Sequence, residues 1–135
     1  MSDWNTKIID EFHENEGKVG GPFEGATLLL LHSKGRKSGK PRVNPLAYQR
    51  LDNGYAVFGS KGGAPTHPEW YRNVLAHPDV EVEVGTVTHK VKAREAVGEE
   101  RERIWTKQKQ LMPGFADYEK KTDRQIPVIV LERAD

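Results

Sequence analysis

Hydrophobic and polar positions along the chain predict about six strands and four helical segments. The strands are apolar runs bounded by glycine, proline or polar residues: Ala26–Ser33, Val43–Leu51, Tyr55–Ser60, Val80–Val84, Val87–Ala96 and Val128–Leu131. The first of these contains four consecutive leucines, so we expect it to be buried on both faces. The helices are segments with apolar residues at helical spacing: Ser2–Phe12, Glu69–His77, Glu99–Leu111 and Phe115–Lys121.

Short turns predict how these strands are connected. Asp52-Asn53-Gly54 and Gly85-Thr86 are both typical of hairpins between consecutive strands. Because most connections are this short, the sheet should be largely antiparallel, and no βαβ alternation indicates a parallel sheet. We therefore expect an α+β fold, a mostly antiparallel β-barrel with helices packed outside it, formed by residues 1–135 as a single domain.

Composition and charge narrow the class of protein. The chain is 36% hydrophobic and 30% charged with a net charge of +1, which argues against a nucleic-acid partner because such proteins are strongly basic. It contains no cysteine, which excludes disulfides and thiolate chemistry. The first residues show no signal pattern, and no apolar run approaches the roughly 20 residues that span a bilayer. We expect a cytoplasmic location.

A basic, glycine-hinged loop follows the four leucines. Its sequence is GRKSG, from Gly35 to Gly39, and Arg42 comes three residues later. Glycines allow a sharp turn in which backbone N–H groups converge, and the Arg, Lys and Ser side chains supply further donors to an anion. The alternative is an ordinary solvated hairpin loop, which this motif alone favours slightly.

A second such loop, SKGG from Ser60 to Gly63, ends the third strand. If the second and third strands form a hairpin, Ser60 lies near the start of the second strand, where Arg42 also lies. The presence of two basic loops at one end of the barrel is stronger evidence for an anionic ligand than a single loop would be. A bare phosphate would not need both, so the expected ligand is an extended anion.

The helix HPEWYRNVL follows directly and offers Trp70 as a wall for a ring and Asn73 as a hydrogen-bonding group. The alternative for Trp70 and Leu75 is that they only dock the helix on the barrel. The charge run Glu99–Arg103 is expected to be a solvated helix face. Neither metal-ligand histidine spacing nor a catalytic triad is visible, so chemistry would come from a bound cofactor.

Three stretches in order resemble the deazaflavin-dependent nitroreductase family: VGGPFEGATLLLLHSKGRKSGKPRVNPLAY, GYAVFGSKGGAPTHPEWYRNVLAHPDV, and ERERIW with DYEKKTDRQIPVIVLER. The similarity extends from about Val19 to Arg133, and the ordered series GRKSG, SKGG and HPEWYRN makes it specific. It implies a split β-barrel of the flavin-reductase and pyridoxamine-phosphate-oxidase type. It also implies reduced coenzyme F420 as cofactor, a deazaflavin with a phosphodiester-linked lactyl-polyglutamate tail. The two basic loops would hold that anionic tail.

The resemblance assigns roles to the residues that match the family's motifs. The coenzyme phosphate and tail would be held by Gly35, Arg36, Lys37, Ser38 and Arg42. The ring and ribityl chain would contact Pro45 and the second loop, which comprises Ser60, Lys61, Gly62, Gly63 and Ala64. Trp70 and Asn73 would belong to the helix beneath the coenzyme. The candidate catalytic residues are Tyr118, over the substrate face, and Ser60; no metal is expected.

The implied reaction is hydride transfer from C5 of the reduced deazaflavin to an electron-poor small molecule, such as a quinone, an enone or a nitro compound. The proton that follows would come from Tyr118 or from water. Ala47, Met112 and Phe115 depart from the family pattern, because nitroimidazole-reducing relatives often carry tyrosines there. This difference weakens the case for bulky nitroimidazoles as acceptors.

Two other functions stay open at this point. One is a non-catalytic split-barrel protein that binds a lipid or other small ligand, and the other is an oxidoreductase that uses FMN. The expected partners are a small-molecule acceptor and, since split barrels commonly pair, a second copy in a homodimer. A quinone acceptor would imply peripheral contact with a membrane.

Overall fold

Six antiparallel strands form a closed barrel in the computed structural model, which describes residues 9–10, 12–13, 28–60, 67–122 and 124–134. The strands are β1 (Leu28–Lys34), β2 (Pro41–Leu51), β3 (Gly54–Phe58), β4 (Asp79–Val84), β5 (Val87–Glu95) and β6 (Val128–Arg133). Their order around the barrel is β1-β2-β3-β6-β5-β4, and β4 pairs with β1 to close it. The predicted antiparallel barrel is confirmed.

Three helices accompany the barrel within the described residues: α1 (Glu69–Ala76), α2 (Gly98–Leu111) and α3 (Gly114–Lys121). Residues 9–10 and 12–13 are also helical. The turns at residues 52–53 and 85–86 connect β2 to β3 and β4 to β5 as antiparallel hairpins, as predicted, and Gly54 is the first residue of β3. No described helix is long and apolar enough to cross a membrane.

Apolar side chains form one layer inside the barrel and others outside it. The interior contains Leu29, Leu31 and Val57, and α1 contributes Trp70 and Val74 to it. The outer faces of β3 and β6 are covered by residues of α2 and α3, including Ile104, Trp105 and Phe115. The outer face of β1 is covered by Phe12.

The leucine-rich strand β1 is buried on both faces, as predicted. Leu28 is 5% exposed, while Leu29, Leu30 and Leu31 are 0% exposed. Alternate residues contact the barrel interior and the helical segment outside, so neither face of the strand reaches water. The strand is thereby a rigid base for the loop that follows it.

Two expectations about helix surfaces are wrong. Of the two residues that could dock α1, Trp70 does so together with Val74, but Leu75 does not, because its side chain is 48% exposed. Arg101 is only 7% exposed, although it lies within the run expected to be a solvated face. Its Nη2 donates to the carbonyl of Ile126 (2.8 Å), and its guanidinium lies 5.6 Å from the ring centroid of Trp105.

Candidate functional site

The basic turn, which we define as residues Gly35–Lys40 between β1 and β2, is tightly bonded within itself. The N–H of Gly35 donates to the carbonyl of Lys40 (2.9 Å), and the N–H of Gly39 donates to the carbonyl of Gly35 (2.9 Å). The N–H of Lys40 donates to Oγ of Ser38 (3.2 Å). Because these N–H groups already have partners, an anion would be held mainly by side chains and less by a backbone cradle.

Positive side chains concentrate around the basic turn. Lys37, Lys40 and Arg42 are all exposed, as is Ser38. Arg42 lies near the start of β2, paired with Ser33 of β1, so it is at the same end of the barrel as the turn. Since the chain as a whole carries only +1, this is a local positive surface suited to phosphate or carboxylate groups.

Helix α1 holds the basic turn against the barrel. The buried side chain of Asn73 accepts a hydrogen bond at Oδ1 from the backbone N–H of Arg36 (3.0 Å). The guanidinium of Arg36 forms an ion pair with Glu69, one turn earlier on the same helix. Trp70 packs in the barrel interior. Asn73 and Trp70 therefore connect the basic turn to the core through a single short helix.

Arg124 joins the end of β3 to the start of α1, an arrangement that we call the Arg124 brace. Its Nη1 donates to the carbonyl of Gly59 (3.0 Å) and lies 2.9 Å from Nδ1 of His67. Its Nη2 donates to the carbonyl of Ser60 (2.9 Å). Sequence reasoning missed this residue, because its partners are 57 to 65 positions away and no local pattern marks it.

The histidine of the brace is held in its neutral form. Burial, and after it the positive charges of Arg124 and Arg72, lower the pKa of His67 below 6.5. A neutral imidazole can accept the hydrogen bond from Arg124 at Nδ1. The His67 ring also lies 4.8 Å from the ring of Tyr71.

Tyr71 is itself fixed by Glu95. Its hydroxyl donates to Oε1 of Glu95 (2.7 Å). Burial and this hydrogen bond raise the pKa of Tyr71 to about 12, so it is neutral at physiological pH. Tyr71 thus attaches the first turn of α1 to the end of β5.

The residues expected on the acceptor side lie together in an apolar cluster on the outside of the barrel. The ring of Phe115 lies 5.5 Å from that of Phe58 and 5.3 Å from that of Tyr118, in edge-on geometry. Ala47, Met112 and Tyr118 pack, partly buried, against the same cluster. We call these five residues the outer wall. Tyr118 is half-buried there, with its ring against Phe115.

Pro45 and Ser60 lie at the edge of the outer wall. Pro45 is two positions before Ala47 on β2, so it shares the outer face of that strand. The β2–β3 ladder pairs Tyr48 with Val57, and a continuation of that register sets Ser60 opposite Pro45. Because β2 begins at Pro41, this position lies inside the strand and not near its start, where the sequence led us to expect Ser60. The remaining residues expected at the ring lie outside the described residues: Lys61, Gly62, Gly63 and Ala64.

Comparison with known proteins gives a consistent result. The sequence model of a family described as F420H(2)-dependent quinone reductase matches residues 4–133. An F420H(2)-dependent quinone reductase of Mycobacterium tuberculosis is 36% identical over 126 residues, covering 90% of this chain and 85% of the relative.

Solved structures agree with this. An F420-H2 dependent reductase is 44% identical with a TM-score of 0.73, covering 78% of this chain and 94% of its own. A protein described as a domain-swapped dimer is 40% identical with a TM-score of 0.74, and the match covers 94% of this chain and 93% of that protein. These matches confirm the resemblance and the split-barrel fold inferred from the motifs.

Proposed function

The chain belongs to the F420H(2)-dependent quinone reductase family, and on that premise we propose that it reduces a quinone at the expense of reduced coenzyme F420. The observation that carries this proposal is the arrangement at one end of the barrel. There the basic turn, α1 and the end of β3 lie together, with Pro45 and Ser60 leading to the outer wall. Such a surface suits a long ligand with an anionic tail and a flat ring, because cations would hold the tail while apolar groups receive the ring.

Most of the protein's contribution in this proposal is binding and alignment. When bound, the reduced deazaflavin supplies the hydride. Arg36, Lys37, Ser38 and Arg42 bind the phosphate and tail, and Gly35 shapes the turn that presents them. The ring and ribityl chain are bound by Pro45, Ser60, Lys61, Gly62, Gly63 and Ala64. Trp70 and Asn73 keep α1 and the basic turn in register with these contacts.

Tyr118 and Ser60 are the proposed catalytic residues. Hydride addition leaves an acceptor oxygen negatively charged, and a proton must reach that oxygen to complete a hydroquinone. Tyr118 on the outer wall orients the acceptor and donates this proton from its hydroxyl, while water is the alternative donor. The Ser60 hydroxyl lies at the ring edge, where it orients the reacting groups.

A quinone is the acceptor that the outer wall favours. Ala47 and Met112 offer apolar contact without hydroxyl groups, and the buried ring of Phe115 packs behind them, which suits a flat, weakly polar ring. Enones and nitro compounds are further proposed acceptors, because they too are electron-poor. We also propose a cytoplasmic location with peripheral membrane contact when the quinone is lipid-borne. A homodimer is proposed as well, supported by the relative described as a domain-swapped dimer.

Titration of the purified protein with F420 and, separately, with FMN tests the coenzyme. We expect fluorescence changes with F420 and none with FMN at equal concentration, followed by oxidation of reduced F420 when menadione is added. Binding of FMN alone would replace the proposal with a flavin enzyme. Binding of F420 without turnover of any quinone, enone or nitro acceptor would leave a non-catalytic binding protein.

A further inference from the structure

The Arg124 brace adds polar contacts between two elements that also pack against each other through apolar side chains, since Val57 of β3 shares the interior core with Trp70 and Val74 of α1. Gly59 and Ser60 directly follow β3, whereas His67 directly precedes α1. One guanidinium contacts both carbonyls on the first side and the imidazole on the second, at 2.9 to 3.0 Å. Its planar fork holds these groups in a fixed relative position, which a flexible lysine would not do.

The groups held by the brace are themselves rigidly placed. The N–H of Gly59 donates to the carbonyl of Pro127 (2.9 Å), and a Cβ at Gly59 would lie 2.7 Å from Cγ of Pro127. Ser60 is only 8% exposed. On the other side, the His67 ring packs against Tyr71, whose hydroxyl bonds to Glu95. Arg124 therefore links two anchored points, and moving either one would break a bond to the guanidinium.

Both linked elements lead to proposed coenzyme contacts. Ser60 lies at the edge of the outer wall, and α1 carries Asn73 and Glu69, which bind the basic turn through Arg36. The β1–β2 ladder holds the two ends of the basic turn, while the position of α1 relative to the end of β3 decides how Arg36 lies with respect to Ser60. Arg124 makes hydrogen bonds to both sides, to Gly59 and Ser60 after β3 and to His67 before α1.

We propose that Arg124 is a positioning residue that fixes the end of β3 against the start of α1, and so sets the spacing between Ser60 on the ring side of the coenzyme and Arg36 on its tail side. This inference rests on the proposed function for its coenzyme, but the brace itself is a property of the coenzyme-free protein. Arg124 binds no reacting atom in this proposal. Its effect passes through Ser60 and His67.

The test compares Arg124→Gln, Arg124→Lys and His67→Phe with Arg50→Gln, a control that removes an exposed arginine from β2. Hydrogen exchange is measured on the coenzyme-free proteins, and the F420 dissociation constant is measured by fluorescence. We expect Arg124→Gln to speed exchange about tenfold in peptides covering residues 58–70 and not in β5 or β6. We expect its dissociation constant to rise about tenfold, the scale of one charged hydrogen bond. Arg124→Lys should be intermediate, and Arg50→Gln unchanged.

Phenylalanine at position 67 keeps a ring beside Tyr71 but lacks the Nδ1 acceptor, so His67→Phe should show a smaller change in the same peptides. This variant supplies the readout if Arg124→Gln does not fold. Unchanged exchange in residues 58–70, or exchange that rises equally throughout the barrel, would overturn the brace. Failure of the wild-type protein to bind F420 would instead refute the proposed function, and the exchange result would still decide the brace.

Discussion

Arg36 is held by two separate contacts, and this allows its charge to be tested without moving its loop. The backbone N–H bonds to Asn73, while the side chain pairs with Glu69. Arg36→Ala keeps the first contact, so the basic turn should stay in place. We expect F420 binding to weaken by about 1.5–3 kcal/mol, the range for hydrogen bonds to charged groups.

Calorimetry of F420 binding at two salt concentrations measures this loss, which should shrink as salt screens the charges. Lys107→Ala, which removes an exposed cation from α2, is the control and should leave affinity unchanged. Glu69→Gln removes a carboxylate beside the same guanidinium and should tighten binding. An Arg36→Ala dissociation constant equal to that of the wild type would return the turn to an ordinary solvated loop.

Tyr118 can be tested in the same way, because its ring and its hydroxyl contribute separately. The ring packs edge-on against Phe115 at 5.3 Å, a contact that Tyr118→Phe retains. Stability and coenzyme affinity should therefore be unchanged. Turnover with menadione should fall roughly 10²-fold if the hydroxyl donates the proton.

Tyr48→Phe is the matched control, since Tyr48 also makes an edge-on ring contact at 5.3 Å but packs against the barrel interior. It should leave turnover unaltered. Full activity in Tyr118→Phe would exclude the tyrosine as donor and identify water as the acid.

His67 predicts a pH dependence with a definite sign. Its folded pKa is lowered below 6.5 by burial and by Arg124 and Arg72, so below pH 6.5 the unfolded chain binds more protons than the folded one. Stability should therefore fall as the pH drops from 6.5 towards the folded pKa. Urea unfolding at pH 7.5, 6.5 and 5.5 measures the trend, and His67→Phe should flatten it. An equal slope in both proteins would assign the effect to other groups.

At the scale of the element, local sequence was enough to predict most strands and helices. The turn residues mark where the two strands of each hairpin meet, and the run of four leucines indicates that β1 is buried on both faces. Arg101 and Leu75 were predicted wrongly because their exposure depends on distant neighbours. Arg101 bonds to Ile126, 25 positions away, whereas Leu75 lies on the side of α1 away from the barrel.

In the candidate site, too, features set by local sequence could be predicted, and features that depend on distant residues could not. The basic turn can be predicted from the local sequence, since its three positive charges lie within five consecutive residues, 36 to 40. Arg124 is not, because three chain segments meet at its guanidinium only after the barrel closes. Convergence of Tyr118 and Ala47 on one wall likewise needed the packing of α3 on the barrel, which no local pattern specifies.

The backbone of the basic turn can be tested at Gly39, with a glycine outside the turn as the control. Gly39 has a φ of 69°, and a Cβ added there would meet no neighbouring atom within 4 Å, so Gly39→Ala introduces backbone strain without a clash. We expect it to cost about 1–2 kcal/mol of unfolding free energy and to weaken F420 binding. Gly114→Ala, at an equally open position that begins α3, should be neutral or stabilising by about 0.4–1 kcal/mol. Equal effects of the two substitutions on stability would show that the turn tolerates another conformation.

At the scale of the whole molecule, β6 joins the two hairpins of the barrel because it pairs with β3 on one side and β5 on the other. Ile129 on this strand is 0% exposed and contributes to the interior core. Ile129→Ala should lower the unfolding free energy by about 2–5 kcal/mol through lost burial and a cavity. Val97→Ala, at a side chain that is 72% exposed, should stay within about 0.5 kcal/mol of the wild type.

Urea unfolding followed by circular dichroism and tryptophan fluorescence measures both variants. Trp70 reports on the interior and Trp105 on the outer cluster, so coincident transitions would show that the layers unfold together. F420 at a hundred times its dissociation constant should raise the unfolding free energy of either variant by about 2.7 kcal/mol, since the ligand binds only the folded state. A fluorescence transition that precedes the loss of secondary structure would mean that the helices leave the barrel first. In that case the ligand would mainly stabilise the earlier step, because α1 and the outer-wall residues Met112, Phe115 and Tyr118 lie outside the strands, whereas Pro45 and Ala47 stay on β2.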